Sequence, residues 1–451
     1  MAMIVNFARR AAWDDSIPPA IHGAMAYRFH NLLLFAAIIF AAAAPTRAQQ
    51  TAEVLTWPQI RDRFEQNNPT LQAYKLSIDE SKAQEITAFL RPNPTLGLLA
   101  DGTQVAPNHG VWKPFAGTFE SPSVSQLIER RNKRHLRLES AKKDTLIAES
   151  DFADEERTLL FSLRSAFVST LQAKAVLQLA EDNLTYYDKV LKVSQDRYSA
   201  GDIAQIDLDR LQLQRVQYES DVQNAIVSLR TAKIQLLTLL NDRTPIEQFE
   251  VSGAYDFADQ LMTQEEVRKR ALDTRPDLRA AVETLEKAET EHKLAIANGS
   301  TDPTIALWYT HNSSTNNPFA TNTVGVSVNL PLRIFDRNQG EKLRTKLDIT
   351  RSEKLRDAAE AQVLSDVDSG YVTVDSTLNL LRPYKAKYLA QSVRVRDTIL
   401  FSYQHGGASL LDFLNAESEY RSVQLNYVNL VGSYLTAAAQ LNEAVGQEVI
   451  Q

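Results

Sequence analysis

Apolar residues recur at three- and four-residue steps along two stretches of the chain that are 205 residues apart. The first runs Leu208, Leu211, Tyr218, Val222, Ala225, Leu229, Ala232, Leu236 and Leu239, interrupted once by Arg215. Its counterpart runs Phe413, Ala416, Val423, Tyr427, Leu430, Tyr434, Ala437, Leu441 and Ala444, with Tyr420 in the place of Arg215. A mean step near 3.5 residues is the coiled-coil period, and its return at one offset predicts an internally duplicated chain. Just before each seam, Tyr198, Gly201 and Asp207 fall on Tyr403, Gly406 and Asp412. A glycine there permits a positive φ and a reversal of direction, so each stretch reads as the tip of a long helical hairpin. Asp202 and Ser409 are the N-cap candidates for the two return helices.

The remaining pattern fills in two similar halves. Helices are predicted over 53–68, from Pro69 to about Leu90, over 130–198 without glycine or proline, and back to about Asn241. The 130–198 helix would be on the order of 100 Å long. Its seam runs Leu159, Leu163, Ala166, Thr170, Ala173, Leu177, Ala180, Leu184, Tyr187 and Leu191. After a linker at 244–259 the plan repeats, with helices over 261–273, 276–298, 337–403 and 409–444. Pro383 lies inside the third of these and should kink or break it. Strands are predicted over 95–100, 119–127, 303–310 and 321–330. In the last, Val324, Val326, Val328 and Leu330 alternate with Thr323, Gly325, Ser327 and Asn329, as a wall with one face in lipid requires. Four strands cannot close a membrane barrel, whose smallest members have about eight. Copies must therefore be shared, and three chains would supply twelve strands.

Composition narrows the setting. Residues 25–48 read as a secretory signal: Arg28 is the basic segment, 32–44 the apolar core and Thr46-Arg47-Ala48 the cleavage site. Residues 1–48 are thus assigned to the signal, with either Met25 as the initiator or 1–24 as an unusually long basic segment; a short N-terminal membrane anchor is the competing reading. Residues 49–245 form the first repeat, 246–260 a linker and 261–451 the second repeat. The full chain carries −7, and losing the signal brings it near −9, which leaves no footprint for nucleic acid. There is no cysteine, which excludes disulfides, thiolate metal sites and an N-terminal lipoprotein cysteine. No stretch after the signal is long and apolar enough for a transmembrane helix, so any crossing of a membrane must use strands.

The order of elements resembles the TolC-like outer-membrane efflux family, and within it the CzcC-like heavy-metal branch, over nearly all of the mature chain. The residues that carry the resemblance are YSAGDIAQIDL, YQHGGASLLDFLNAE and VSVNLPLRIFDRNQGE. The first half's strand exit, SVSQLIERRNKRHLR, matches only loosely. The resemblance implies a mainly α fold with a small β part. Long coiled-coil hairpins would form a periplasmic α-barrel, and four strands would contribute to a trimeric outer-membrane β-barrel. It implies a passive exit duct of a tripartite efflux system, working with a periplasmic adaptor protein and an inner-membrane pump; metal cation, organic drug and polypeptide are all open as cargo, and the CzcC-like branch alone favours a heavy-metal cation. By the same resemblance Gly201, Asp202, Ile203, Gly406, Gly407 and Ala408 meet the adaptor; the alternative is a solvent-exposed turn.

Candidate chemistry is sparse. Asp207 and Asp412 are open to three readings: a catalytic pair, carboxylates lining the pore near the tip, or first-turn residues favoured by the helix dipole. No histidine or second acid recurs beside both, as acid–base chemistry needs, so no enzyme activity is expected. His109, His135, His292, His311 and His405 lie at no metal-ligand spacing. Met262 is the only methionine after the signal, so no cofactor or resident metal is expected. The basic run 130–134 is either an anchor at the membrane interface or a solvated helix start. The rival function is a soluble periplasmic coiled-coil adaptor or scaffold, which would wash off membranes.

Overall fold

The computed structural model describes residues 53–312 and 321–450. The signal segment, and most of the loop between the last two predicted strands, lie outside the described residues. Short strand β1 (Glu53–Leu55) leads into α1 (Trp57–Asn67) and α2 (Pro69–Phe89). Strands β2 (Thr95–Asp101) and β3 (Phe119–Leu127) precede the long α3 (Lys133–Ala200) and its return, α4 (Gln205–Leu239). A 3₁₀ turn (Ile246–Gln248) and β4 (Phe249–Val251) follow. The second half gives α5 (Gln264–Thr274), α6 (Pro276–Asn298), β5 (Thr304–Asn312) and β6 (Asn322–Asn329). Its long helix is α7 (Gln339–Pro383), a π turn (Tyr384–Tyr388) and α8 (Leu389–Gln404), and its return is α9 (Leu410–Val445).

Both seams face inward. Leu208, Leu211, Tyr218, Ala225, Ala232 and Leu236 are buried on α4, as are Phe413, Ala416, Tyr434, Ala437, Leu441 and Ala444 on α9. The two interruptions have a polar logic. Arg215 donates to Asp188 of α3 at 2.5 Å, whereas the Tyr420 ring receives the Arg396 guanidinium of α8 at 4.1 Å. Each half thereby places one cation-centred contact between its long and return helices.

Pro383 interrupts the α-helical pattern of the second long helix, as its missing N–H predicts: a single π turn follows it, and helical backbone then continues to Gln404. The linker between the two halves is paired and packed. Its strand β4 pairs with β1, Phe249 and Val251 are buried against Phe64, Leu163 and Leu236, and the Tyr255 hydroxyl donates to the Val428 carbonyl at 2.8 Å. Phe257 meets Tyr434 edge-on, so the linker straps the first half onto α9.

The other four strands form one antiparallel sheet in the order β2-β3-β5-β6. Leu96 pairs with Val124, Val124 with Leu307 and Leu307 with Val326, so apolar side chains share one face. The opposite face carries Ser121, Ser123, Ser125, Thr304, Thr310, Thr323 and Ser327 by the same registers. The β3–β5 ladder skips Ser121 and Pro122, because proline has no N–H to give in a central strand. Register is unchanged on either side of the gap, and the Ser121 and Thr310 hydroxyls bridge it at 3.1 Å.

Candidate functional site

The two tips have the same backbone. Gly201 (φ +84°) and Gly406 (φ +77°) end their helices in the left-handed region. The next N–H in each case reaches back five residues: Asp202 to the Arg197 carbonyl at 2.9 Å, and Gly407 to the Ser402 carbonyl at 2.7 Å. This is the Schellman closure. Nothing lies within 4 Å of where a Cβ would stand on Gly201 or Gly406, so backbone conformation and not space selects glycine at both.

Beyond the turn the tips diverge. Ser409 is the N-cap of α9, and its hydroxyl accepts from the Asp412 N–H while the Asp412 carboxylate accepts from the Ser409 N–H at 3.0 Å. The carboxylate of Asp412 is held below its ordinary range by the Ser409 hydroxyl and backbone N–H. In the first half, Asp202 is not the N-cap; Ala204 is, and it has no side chain to cap with. The reason is the Schellman turn, which takes the Asp202 N–H back to Arg197 and places the helix start two residues later. Asp207 therefore lacks a box and sits half-buried in the first turn of α4. Asp207 and Asp412 are thus not an equivalent pair. One closes a capping box, and the other has no such partner at its helix start.

Ile203 and Ala408 pack on a cluster that joins both hairpins, built from Tyr187, Leu191, Leu208, Leu211, Tyr403, Leu410 and Phe413. Gly201, Asp202, Gly406 and Gly407 are exposed. Tyr403 is buried in this cluster and its hydroxyl has no hydrogen-bond partner. Burial pushes its phenol above the ordinary value, with Arg197 opposing and Asp207 adding.

Two turns of helix from the tip lies a group that sequence reasoning missed. Glu417 of α9 is 3% exposed, and its Oε1 accepts no hydrogen bond. Its Oε2 accepts from the Tyr218 hydroxyl at 3.4 Å, and Arg396 Nε stands 4.0 Å from Oε1. Burial raises the Glu417 carboxyl above the usual range, against the pull of Arg396 and Tyr218. The available signal was a Glu417/Arg421 pair, one turn apart, beside the seam residue Ala416.

The histidines remain apart: His292 meets Thr345, His311 meets Asn322 and His405 meets the Phe401 carbonyl. Among the described residues no group of three or more His, Asp or Glu is placed to hold a metal ion, and no helix is long and apolar enough to cross a membrane. The sheet supplies the membrane chemistry instead. Leu96, Leu98, Val124, Ile305, Leu307, Tyr309, Val324, Val326 and Val328 are all exposed on its apolar face. Such a face belongs in hydrocarbon.

The outer membrane efflux protein model matches residues 60–242 and again 267–447. The chain belongs to that family. It is an outer-membrane channel component of a tripartite efflux system, with a large periplasmic helical part. Among curated relatives it is 22% identical to the cobalt-zinc-cadmium resistance protein CzcC of Cupriavidus metallidurans, over 89% of this chain and 93% of that protein. It is 24% identical to the pyoverdine export outer membrane protein OpmQ of Pseudomonas aeruginosa, over 72% of this chain and 69% of that one. The fold superimposes on the solved CusC channel with a TM-score of 0.73 at 17% identity, covering 86% of this chain and 92% of CusC. The TolC-like resemblance and the internally duplicated, mainly α fold are therefore established for this efflux protein.

Proposed function

We propose that this efflux protein is a passive, non-enzymatic duct formed by three copies, and that its cargo is a heavy-metal cation. The carrying observation is a row of apolar residues on α4 that its own chain leaves uncovered. Ile206, Leu213, Val227 and Ile234 are 57%, 73%, 62% and 49% exposed and fall on one heptad register, with Ser220 at the remaining place. On the far side of the helical layer α7 exposes Leu343, Leu347, Leu355 and Val372. The sheet likewise ends in two open edges, β2 and β6. Two unfinished flanks at both levels suit copies repeating round an axis.

The cargo reading rests on the likeness to CzcC, whose name states cobalt, zinc and cadmium resistance. With no metal cluster among the described residues, a cation would be passed through rather than held. On this reading the periplasmic adaptor meets Gly201, Asp202, Ile203, Gly406, Gly407 and Ala408, and an inner-membrane pump supplies the energy. Residues 1–48 serve as the signal and the two repeats flank the linker. Light scattering of the detergent-purified protein should give a trimer. Deleting the gene should sensitise cells to cobalt, zinc or cadmium more than to organic drugs. A detergent-free monomer would remove the duct, and a drug-only phenotype would remove the metal.

A further inference from the structure

At the root of the sheet, where strands pass into the helical layer, a cleft of about 410 Å³ opens at the end of β3, beside the segment that enters β2. Arg91, Gln126, Ile128, Glu129, Lys133 and Arg134 line it. Gln126 and Ile128 continue the alternation of Val124, so the cleft opens on the apolar side of the sheet. The Gln126 amide donates to the Pro92 carbonyl at 2.8 Å, which ties β3 to the start of β2 and shapes the floor.

The charges in the cleft do not cancel. Glu129 is taken by Arg137, which donates to it from both terminal nitrogens. The buried Lys133 ammonium is taken by Asp302 at 2.6 Å and the Ser300 carbonyl at 3.0 Å. Arg91 and Arg134 keep no carboxylate partner among the described residues, and neither do Arg130 and Arg131 on the adjoining turn. Arg134 is held by stacking over the Phe89 ring at 4.4 Å. That turn runs through two consecutive left-handed residues, Arg131 (φ 56°) and Asn132 (φ 59°), which swing the chain from strand to helix within two positions. A chain of net charge −7 thus concentrates four unpaired guanidinium groups here. Phe89, Leu90, Leu127 and Ile128 stand exposed around them.

We propose that the cleft binds the phosphate headgroup of an anionic phospholipid from the periplasmic leaflet of the outer membrane. Arg91 and Arg134 would contact the phosphate, with the acyl chains along Ile128, Val124 and Leu96. Guanidinium groups suit phosphate oxygens, and stems of arginine reach from an apolar surface to its polar boundary. The apolar rim and its continuity with the membrane face select a lipid over a free anion. The basic run after β3 is on this reading an interface anchor and not a solvated helix start.

The test uses the detergent-purified, delipidated full-length assembly. Native mass spectrometry and thermal melting would be run with micelles doped with phosphatidylglycerol, with phosphatidylcholine, or with inorganic phosphate alone. Phosphatidylglycerol should be retained and raise the melting temperature by several degrees, while the other two leave it unchanged. Arg91→Gln with Arg134→Gln should weaken phosphatidylglycerol binding at least tenfold, and Arg91→Lys should retain most of it. Because Arg134 also stacks on Phe89, exposed Arg91→Gln alone is the second variant, and it should lose binding with its melting temperature in phosphatidylcholine unchanged. Equal stabilisation by inorganic phosphate would overturn the proposal, as would undiminished lipid binding in both variants. So would loss of the oligomer in Arg91→Gln with lipid affinity intact, which would assign the cleft to a neighbouring copy.

Discussion

Glu417 is the most exacting residue in the molecule. Tyr186 and Tyr187 of α3, Tyr218 of α4, Arg396 of α8 and Arg421 of its own helix face it, with Asp221 paired to Arg421 and Asp397 to Arg396. Burial holds the Tyr186 phenol up at about 12, so it stays neutral. A carboxyl whose folded-state value is raised binds its proton more tightly in the folded protein than in the unfolded chain. Its contribution is therefore full below the unfolded value and is lost as pH rises through the folded one. Glu417→Gln keeps the shape and removes that loss, so it should raise the melting temperature at pH 8 and leave it nearly unchanged at pH 4. A circular-dichroism melt at the two pH values measures this; an equal shift at both would assign the effect to packing. Gly406 makes a different demand. At φ +77° a valine costs on the order of 1–3 kcal/mol in backbone strain, with no clash to add. Gly406→Val should insert and assemble yet lose pump-dependent efflux, and crosslinking to the adaptor from a cysteine at Ser409 reads the seating directly.

Among the elements, the sheet and the helices bury their apolar residues for different reasons. The seams of α4 and α9 are covered by their own chain, whereas the apolar face of the sheet is left uncovered by the described residues. Val326 is 66% exposed and pairs with Leu307 at the centre of the β5–β6 ladder. Val326→Lys puts a charge into hydrocarbon at a cost of roughly 2–4 kcal/mol near mid-bilayer. Outer-membrane insertion should fall, while far-ultraviolet circular dichroism of the detergent-solubilised protein keeps its helical signal. Normal insertion would mean that the Val324, Val326 and Val328 face is turned away from lipid.

The proposed three-copy assembly would rest on surfaces that one chain leaves uncovered. The heptad row on α4 is the clearest, because burying a leucine or valine contributes about 1.5–3 kcal/mol each. Leu213→Glu with Val227→Glu should leave each hairpin folded but dissociate the assembly. Light scattering in detergent would then show a smaller mass with unchanged helix content. An intact oligomer would place the contact between copies on another face. The strap at 246–260 acts within the chain: Phe249 and Val251 pack into the cluster on α3 and α4, and Tyr255 bonds to α9, beside the direct packing of α3 on α9.

Local rules determined much of this protein. Apolar periodicity located both hairpins, glycine located both tips, and alternation located the strands, with β3 at the predicted 119–127 despite Pro122. These signals are carried by residues close in sequence, each reporting a backbone geometry that its own side chain or missing Cβ prefers. The tertiary structure decided what depends on residues far apart. The strand exit into α3 looked unlike its partner, yet Asn132 and Asn338 take the same left-handed conformation before α3 and α7; the shared feature is a backbone angle, not a string of letters. Asp207 and Asp412 looked equivalent, and a single difference, Ala204 against Ser409, separated them. The packing of the linker was not legible because the residues that bind it, Phe167, Val428 and Tyr434, lie in helices on either side of it. Glu417 was illegible for the same reason. Three other helices close over it, and no short stretch of sequence contains more than one of them.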